Sequence, residues 1–472
     1  MIRLSPKFVV LLCSSIPFAF TPGCFTVKAP TSSHDPWEPP AKSVAARDTA
    51  PMKVNAEKPL ALGELLDLAY ENNPSLRENW QNARSAEFLT RQAQAQYYPQ
   101  ADGSLSASFN QTDANMTEGN MKDTLLTPKA ALTWLLLDLG GRAATIEKAN
   151  FSTLAANYLF NKAFLDVRLA VEQAYYGLYS AQASVTAAEI SLENSRTNLD
   201  AAEKKFEAGL VTHLEVLQAQ ANQDEAIYSL DSAHGDVQDA LAALAKAVGV
   251  SADTPLPIVA PDETPVTMNT NDIGALIAEA LAQRPDIAAQ RAGVSAREAA
   301  VRAARSDLWP TLNAGASAQA NRHNYSETGS TLNDNDYTAI AYLALQWNFF
   351  DGFQRLNKRR AAEADLEAER AKLSAVEINA SSEVWTRYYG LQTALKKQQS
   401  AQALLASSEA SYQLALEAYN AGLKSLLDLL QAQNTLAGAR YKLIGARKDL
   451  LLARAGLLNA LGVLFSDDRN AL

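Results

Sequence analysis

The body of this sequence has no cysteine. Among 472 residues the only two are Cys13 and Cys24, both within the first 24 positions. A disulfide framework or a cysteine-based metal site is therefore excluded from the rest of the chain. Proline is also absent between Arg142 and Ala208, where Gly177 is the only glycine. Such a stretch without helix breakers predicts one helix of about 67 residues, about 100 Å long.

Positive charge is scarce as well. The chain has 42 Lys and Arg against 52 Asp and Glu, a net charge of −10. Without a basic stripe to neutralise phosphates, nucleic acid is excluded as a partner. The four histidines are scattered, and the sequence has no HExxH motif, glycine-rich phosphate loop or nucleophile elbow. These absences predict that the protein is not an enzyme and uses no metal ion or other cofactor.

The first 24 residues have the composition of an export signal. Arg3 and Lys7 precede an apolar run, Phe8–Phe20, which ends shortly before Gly23 and Cys24. The run is too short for a helical membrane anchor, which needs about 20 residues. A basic start, an apolar centre and small residues at the end are typical of a cleaved signal. We therefore predict a signal peptide at residues 1–24.

Cys24 resembles the cysteine of a bacterial lipobox, which becomes lipidated and then forms the mature N-terminus. A lipobox usually has leucine three positions before the cysteine, whereas this chain has Thr21, so simple secretion is the alternative. Phe25 follows, and it is not the aspartate that retains lipoproteins in the inner membrane. The resemblance implies lipidation at Cys24, contact with outer-membrane lipid and an outer-membrane destination.

Most of the remaining chain is one unit written twice. Two motifs recur at an offset of 211 residues: Asn73-Pro74-Ser75-Leu76 with Arg284-Pro285-Asp286-Ile287, and Tyr98-Pro99 with Trp309-Pro310. Four more recur in the same order at an offset of 213: Trp134…Asp138…Arg142 with Trp347…Asp351…Arg355, Tyr175-Tyr176-Gly177-Leu178 with Tyr388-Tyr389-Gly390-Leu391, Ala208-Gly209-Leu210 with Ala421-Gly422-Leu423, and Gln218-Ala219-Gln220 with Gln431-Ala432-Gln433. A constant order with one small change of offset indicates an internal duplication.

These matches divide the chain into six segments. After the signal peptide, residues 25–59 are predicted as an extended linker or surface strap. The repeats occupy 60–250 and 272–465, joined by a linker at 251–271 and followed by a tail at 466–472. The expected fold is mainly α-helical, with a small β part in each unit.

Each unit is predicted to run as helix, two strands, very long helix, turn and long returning helix. Residues 62–97 have helical spacing, with Pro74 placed to break it. Residues 101–110 and 312–320 alternate apolar and small polar side chains, as strands with one wet face do. Each is followed by a second strand, and these are predicted to end in Trp134-Leu135-Leu136-Leu137 and Trp347-Asn348-Phe349-Phe350. The hairpins suit either a membrane barrel or a soluble hairpin packed on a core.

The long helices have the spacing of a coiled coil. Large residues recur every seven positions in the first unit: Val171, Leu178, Val185, Leu192, Leu199 and Phe206. A second row is small: Ala174, Ala181, Ala188, Ser195 and Ala202. The returning helix carries an apolar row of its own: Ile227, Leu230, Val237, Leu241, Leu244 and Val248. The pattern predicts two antiparallel helical hairpins in each chain.

Four strands cannot close a barrel, and lipid does not tolerate open sheet edges. If the hairpins are transmembrane, the chain must therefore oligomerise. Two chains supply eight strands and three supply twelve, and the residues alone do not choose between them.

The duplicated motifs after the strands and at the helical turns resemble those of the TolC family of outer-membrane factors, over residues 60–465. The resemblance implies a homotrimer with a 12-stranded β-barrel and a 12-helix α-barrel tunnel. It also implies a passive exit duct that works with a periplasmic membrane-fusion adaptor and an inner-membrane pump. The pump is of the resistance-nodulation-division (RND) type in efflux or of the ABC type in type I secretion. A coiled-coil lipoprotein that spaces the envelope is the alternative hypothesis.

The resemblance also implies roles for residues near the helical turns. Asp428, Lys424, Tyr419 and Leu427 correspond to the periplasmic gate, where three copies of Asp428 face one another and invite a bond from Lys424 of a neighbouring helix. Family members have a second acidic residue where this chain has Gln431. The implied adaptor-docking residues are the turn glycines and the leucines that follow them: Gly209, Leu210, Gly422 and Leu423.

Overall fold

The structure of the protein, a computed structural model, describes residues 28–30, 32–37, 58–112, 121–261, 272–327 and 330–463. Two units with the same order of elements follow each other. The first contains helices α1 (Leu62–Asn72) and α2 (Pro74–Gln94), strands β1 (Gln100–Thr112) and β2 (Met121–Leu137), and helices α3 (Gly141–Glu207) and α4 (His213–Val248). The second contains helices α5 (Ile273–Gln283) and α6 (Pro285–Ser306), strands β3 (Thr311–Glu327) and β4 (Ser330–Gln346), and helices α7 (Gln354–Asn420) and α8 (Leu426–Leu461). The prediction of a mainly helical, duplicated fold is confirmed.

Helices α3 and α7 dominate the molecule. Each has 67 residues, about 100 Å at 1.5 Å per residue. The 36-residue helices α4 and α8 return along them. The two hairpins therefore carry their turns about 100 Å from the sheet. This distal end is called the helical tip below.

The buried face of α3 follows the predicted rows over most of its length. Val171 and Leu178 are fully buried. Phe206, however, is 43% exposed, so the apolar row ends before the tip. The predicted row of α4 is partly wrong, because Ile227 is exposed. Between His213 and His234 the buried residues of α4 are instead alanines: Ala219, Ala226 and Ala233. Ala219 lies in the same buried cluster as Ala202 of α3, so small side chains on both helices let them approach closely.

The four strands form one antiparallel sheet in the order β1-β2-β3-β4. β1 pairs with β2 from Gln100 opposite Thr133, and β3 pairs with β4 from Thr311 opposite Gln346. Serines of β1 lie on one face and Leu105 and other apolar residues on the other, as the alternation predicts. The strands extend beyond the predicted 101–110 and 312–320. Within the sheet, β1 and β4 are edge strands.

The prediction that the last strand reaches Phe350 is wrong, because β4 ends at Gln346. Beyond it the chain turns toward α7, and Trp347 Nε1 donates a hydrogen bond to the Leu308 carbonyl at 3.3 Å. Arg355 in the first turn of α7 donates to the Asn348 carbonyl and so draws that backbone away from the sheet. Tertiary contacts at the junction therefore end the strand earlier than its apolar pattern suggests.

The short helices break at the predicted proline in both units. The Asn73 side chain caps α2 and also donates to the Ala247 carbonyl at 2.9 Å. Arg284, at the equivalent place, donates to the Ala460 carbonyl at 3.1 Å. The last turn of each returning helix thus packs against the break of its own unit. Gly249 is tight there, since an added Cβ would lie 2.8 Å from the Asn72 carbonyl oxygen.

Part of the predicted N-terminal strap lies within the described residues and is packed on the first unit. Trp37 is 9% exposed, and its backbone exchanges hydrogen bonds of 2.7 and 2.6 Å with the Asn161 side chain. Trp80 Nε1 donates to the Pro30 carbonyl at 2.9 Å. These contacts hold residues 28–30 and 32–37 against α2 and α3. The predicted signal peptide with Cys24 and the tail at 466–472 lie outside the described residues.

Candidate gate and docking site at the helical tip

Both long helices end in the same glycine turn. Gly209 and Gly422 have φ values of 71° and 73°, a conformation that glycine adopts without steric conflict. In the first turn, Leu210 N donates to the Lys205 carbonyl at 2.8 Å and Gly209 N to the Phe206 carbonyl at 2.9 Å. The second turn repeats both bonds. This is a Schellman cap, which satisfies the last carbonyls of each helix.

The turns expose the predicted docking residues. Leu210 is 74% exposed and Leu423 is 79% exposed. Among the described residues, and apart from the two chain neighbours of each glycine, no atom lies within 4 Å of a Cβ added at Gly209 or Gly422. Two leucines displayed on rigid turns offer apolar contact to another protein at low entropic cost. The docking role stays a prediction for all four residues.

Asp428 lies in the first turn of α8 and forms a capping box with Ser425. Ser425 Oγ donates to Asp428 Oδ2 at 2.8 Å, and Ser425 N donates to the same oxygen at 3.2 Å. In return, Asp428 N donates to Ser425 Oγ at 3.3 Å. This reciprocal arrangement satisfies free N–H groups at the helix start and fixes the carboxylate in one position.

The charge of Asp428 is stabilised by the same contacts. The hydrogen bond from Ser425 holds the pKa of Asp428 below its ordinary value, with a smaller contribution from Lys424. Lys424 Nζ lies 3.9 Å from Asp428 Oδ1, and the two side chains are 57% and 49% exposed. In the single chain, Lys424 therefore contacts Asp428 of its own hairpin. The bond from Lys424 of a neighbouring helix stays a prediction. Leu427, beside them, is 68% exposed.

Tyr419 lies beneath this surface. Its side chain is 2% exposed and belongs to a core cluster with Tyr412, Leu426 and Leu429. Burial raises the pKa of the Tyr419 hydroxyl. Of the four predicted gate residues, the structure presents Asp428, Lys424 and Leu427 to solvent. Tyr419 instead supports them from the interior of the helical hairpins.

Lys205 of α3 joins the first hairpin to the second at this level. Its ammonium group lies 3.5 Å from the centre of the Tyr419 ring and donates a hydrogen bond to the Tyr419 carbonyl. That carbonyl also accepts the turn bond from Gly422 N at 3.0 Å. Burial lowers the pKa of Lys205, which agrees with its position between helices. The lysine therefore fixes the end of α7 to α3.

A second link between the hairpins is a buried polar pair. Asn198 of α3 donates to Gln433 Oε1 of α8 at 2.5 Å, and the two residues are 0% and 4% exposed. Gln433 Nε2 also reaches the Ser191 carbonyl at 3.5 Å. A buried polar pair fixes the relative register of helices, because a shift leaves both groups without partners.

The sequence analysis assigned no role to Lys205, Asn198 or Gln433. Gln433 belongs to the repeated Gln-Ala-Gln motif, and a polar residue at a buried position of that helix was a usable signal. Lys205 has no such signal, because its partner lies more than 200 positions away. Contacts between the two hairpins depend on how the units pack, which spacing within one unit does not specify.

A model of one protein family matches residues 65–250 and 276–463 of this chain, and it describes an outer membrane efflux protein. The chain belongs to the outer membrane efflux protein family. The two matched segments fall within the predicted repeats. The family is one of channel proteins, so the protein is an outer-membrane efflux channel that extends into the periplasm.

Curated relatives and a solved structure agree with this membership. The chain is 28% identical to Protein CyaE of Bordetella pertussis over 381 residues, 81% of this chain and 79% of CyaE. It is 26% identical to the pyoverdine export outer membrane protein OpmQ of Pseudomonas aeruginosa over 426 residues, 87% of each chain. A crystal structure of CusC has the same fold, with a TM-score of 0.72 at 21% identity, covering 85% of this chain and 92% of CusC.

Family membership decides between the two functional hypotheses: the chain is an outer-membrane channel and not a structural spacer of the envelope. Within the described residues, no helix combines the length and the apolar character that crossing a bilayer requires. The helical tip lies about 100 Å from the sheet, so its exposed residues face the periplasm.

Proposed function

We propose that this channel is the passive exit duct of a tripartite efflux or type I secretion system. The observation that carries the proposal is the geometry of one chain, in which a four-stranded sheet with two edges continues into hairpins about 100 Å long. A sheet closed by several copies gives a pore through the membrane. The helices extend that pore toward the inner membrane.

The assembly is a homotrimer. Three chains give a 12-stranded barrel above a tunnel of twelve helical segments, which agrees with the family resemblance. The 17 residues of β2, β3 and β4 exceed the 9–11 that a tilted strand needs to span a bilayer. The barrel wall therefore has room to extend beyond the membrane.

The tip is the gate. In the trimer, three copies of Asp428 surround the axis, and Leu427 and Lys424 complete the constriction. Three carboxylates gathered around one axis repel one another and attract cations. Lys205 and the Asn198–Gln433 pair keep α7 and α8 attached to α3, which favours the narrow state. Opening requires these links between hairpins to break or to shift.

The partners meet the duct at its two ends. A membrane-fusion adaptor docks on the turns, with Leu210 and Leu423 as apolar contacts beside Gly209 and Gly422. An RND or ABC pump in the inner membrane supplies the energy. Lipidation of Cys24 attaches the mature N-terminus to outer-membrane lipid.

The protein itself is not an enzyme and needs no cofactor. Its part in transport is to conduct, so selectivity resides in the pump and adaptor. Relatives of similar length are named for different tasks, since OpmQ is a pyoverdine export protein and another relative, of Escherichia coli, is a cation efflux protein. The family fold therefore serves more than one substrate, and this chain is assigned no particular one.

Single-channel recording in a planar bilayer tests the duct and the gate together. Wild type is expected to give small, cation-selective pores, and Asp428→Ala to raise the conductance and reduce the selectivity. Asp449→Ala is the matched control, because Asp449 is an exposed carboxylate on the same helix but distant from its first turn. Equal effects of the two variants contradict the gate assignment. Absence of pores from folded, helical protein contradicts the duct.

A further inference from the structure

The two faces of the four-stranded sheet differ in the sign of their charges. Leu105, Leu343 and Leu345 mark the apolar face, and the pairing of the strands assigns every second residue to it. Two charged residues hold register positions on this face in the described strands, Lys122 and Arg322, and both are basic. Within the described part of the sheet, the apolar face therefore carries positive charge only.

The carboxylates near the hairpin turns lie on the other face. His323 contacts Asp123 of β2 at 3.3 Å, and Asp334 of β4 lies directly opposite it. Arg322 is the residue before His323, so its side chain points to the apolar side of the sheet. It is exposed and forms no ion pair with the described part of the chain. An exposed guanidinium on a face without described carboxylates can take its anionic partner from outside the chain.

Two aromatic residues indicate where a membrane would meet this face. Tyr337 of β4 and Trp347, just after it, lie on the apolar face and are 81% and 49% exposed. They are ten positions apart, which is about 33 Å along a strand and about 25 Å in height at a tilt of about 40°. An outer-membrane barrel has an apolar band of that height, and aromatic girdles flank it on both sides. Tyr337 and Trp347 therefore mark its two edges.

Arg322 lies just beyond the outer edge of this band. Tyr337 pairs with Ala320 and Asn335 pairs with Arg322, so the arginine is two residues nearer the hairpin turns than the tyrosine level. Two residues span about 7 Å along a strand. The long helices leave the sheet at its opposite end, so the hairpin turns of the proposed duct face the outside of the cell. Arg322 then lies at the depth of the outer-leaflet headgroups.

We propose that Arg322 binds the phosphate group of a phosphorylated glycolipid in the outer leaflet. The inference rests on the proposed function, in which the sheet forms part of a membrane barrel. A guanidinium donates paired hydrogen bonds to phosphate oxygens. Asn324 and Asn335 are exposed on the same face beside it, and their amides can donate to further phosphate or sugar oxygens. The apolar band next to them contacts the acyl chains of the same lipid.

Native mass spectrometry of the full-length protein in detergent tests the site, with lipid A as the probe and dephosphorylated lipid A as its chemical control. Arg322→Gln should weaken lipid A binding about tenfold, because it removes a charge-assisted contact. Lys129→Gln is the matched control, since Lys129 is an exposed cation on the opposite face of the same sheet, and it should bind lipid A as wild type does. Dephosphorylated lipid A should bind wild type about tenfold more weakly than lipid A.

The outcomes separate the lipid site from the duct. Equal binding by wild type and Arg322→Gln, equal losses in the two variants, or binding that ignores the lipid phosphate overturns the site. Complete displacement of lipid A by millimolar inorganic phosphate overturns it as well, because the arginine then binds a free anion. The same spectra report the native mass: a trimer leaves the proposed duct standing in each of these cases, whereas a monomer contradicts the proposed assembly whatever the lipid result. Circular dichroism of both variants should match wild type, since each change is at an exposed position.

Discussion

Replacing Lys205 by methionine should open the gate. Lys205 is the cation that joins α3 of one hairpin to Tyr419 in the other, through the ring and the backbone carbonyl. Methionine retains an apolar stem of similar length but removes the charge and the donor. Hydrogen bonds to charged groups contribute about 1.5–3 kcal/mol. Because the lysine is only partly buried, we take the lower limit, about 1.5 kcal/mol per protomer.

A loss of that size changes the ratio of open to closed states by about tenfold for each protomer. Single-channel recording at fixed salt and voltage measures this ratio directly, as the open probability of the channel. Lys204→Met is the matched control, since Lys204 is the adjacent residue, is 70% exposed and pairs with Asp200 on its own helix at 2.6 Å. Equal changes of open probability in both variants, or no change in either, would show that Lys205 does not hold the gate closed.

Three further predictions concern stability and docking. Gly249→Ala should destabilise the fold by more than about 1 kcal/mol in denaturant titration, because Gly249 has φ +85° and an added Cβ would lie 2.8 Å from backbone atoms. Gly177→Ala is the control: Gly177 lies within α3 with open space around its Cα, so this change should be neutral or stabilising. Ser425→Ala should lower the Tm at pH 7, and this Tm difference should shrink as the pH falls well below 3.8. The bond from Ser425 Oγ to the Asp428 carboxylate lowers the pKa of Asp428, so its contribution is present above pH 3.8 and is lost once the carboxyl is protonated, whereas the bond from Asp428 N to Ser425 Oγ does not depend on that charge. A Tm difference of the same size in acid opposes this. Leu423→Ser should abolish export in cells while leaving bilayer conductance unchanged, and a parallel loss of conductance contradicts a docking role.

Features set by local pattern were predictable from the sequence. The proline-free stretch predicted the 67-residue helix α3, and the glycine at 209 predicted its turn. The shared offsets predicted the second unit from the first. The helix and its turn depend on backbone propensity within about 70 residues, and the second unit depends on repeated motifs that one sequence displays completely.

Features set by packing between units were not predictable. Tyr419 was predicted as a gate residue without any indication of its neighbours, and packing against Lys205 of α3 and the leucines of α8 buries it. The predicted row on α4 included Ile227, which is exposed, whereas the neighbouring Ala226 is buried. β4 stops at Gln346 because Arg355 draws the following backbone toward α7. Each outcome depends on a neighbour that is distant in the chain.

Under the proposed function, folded chains assemble into a passive, water-filled duct. The most direct test is the current through purified wild-type protein in a planar bilayer, with the same salt on both sides and no ATP or ion gradient. A passive duct should give stable unit currents that rise in proportion to voltage and pass through zero at zero voltage. Folded, membrane-inserted protein that carries no current, or carries it only with an energy source, would contradict it.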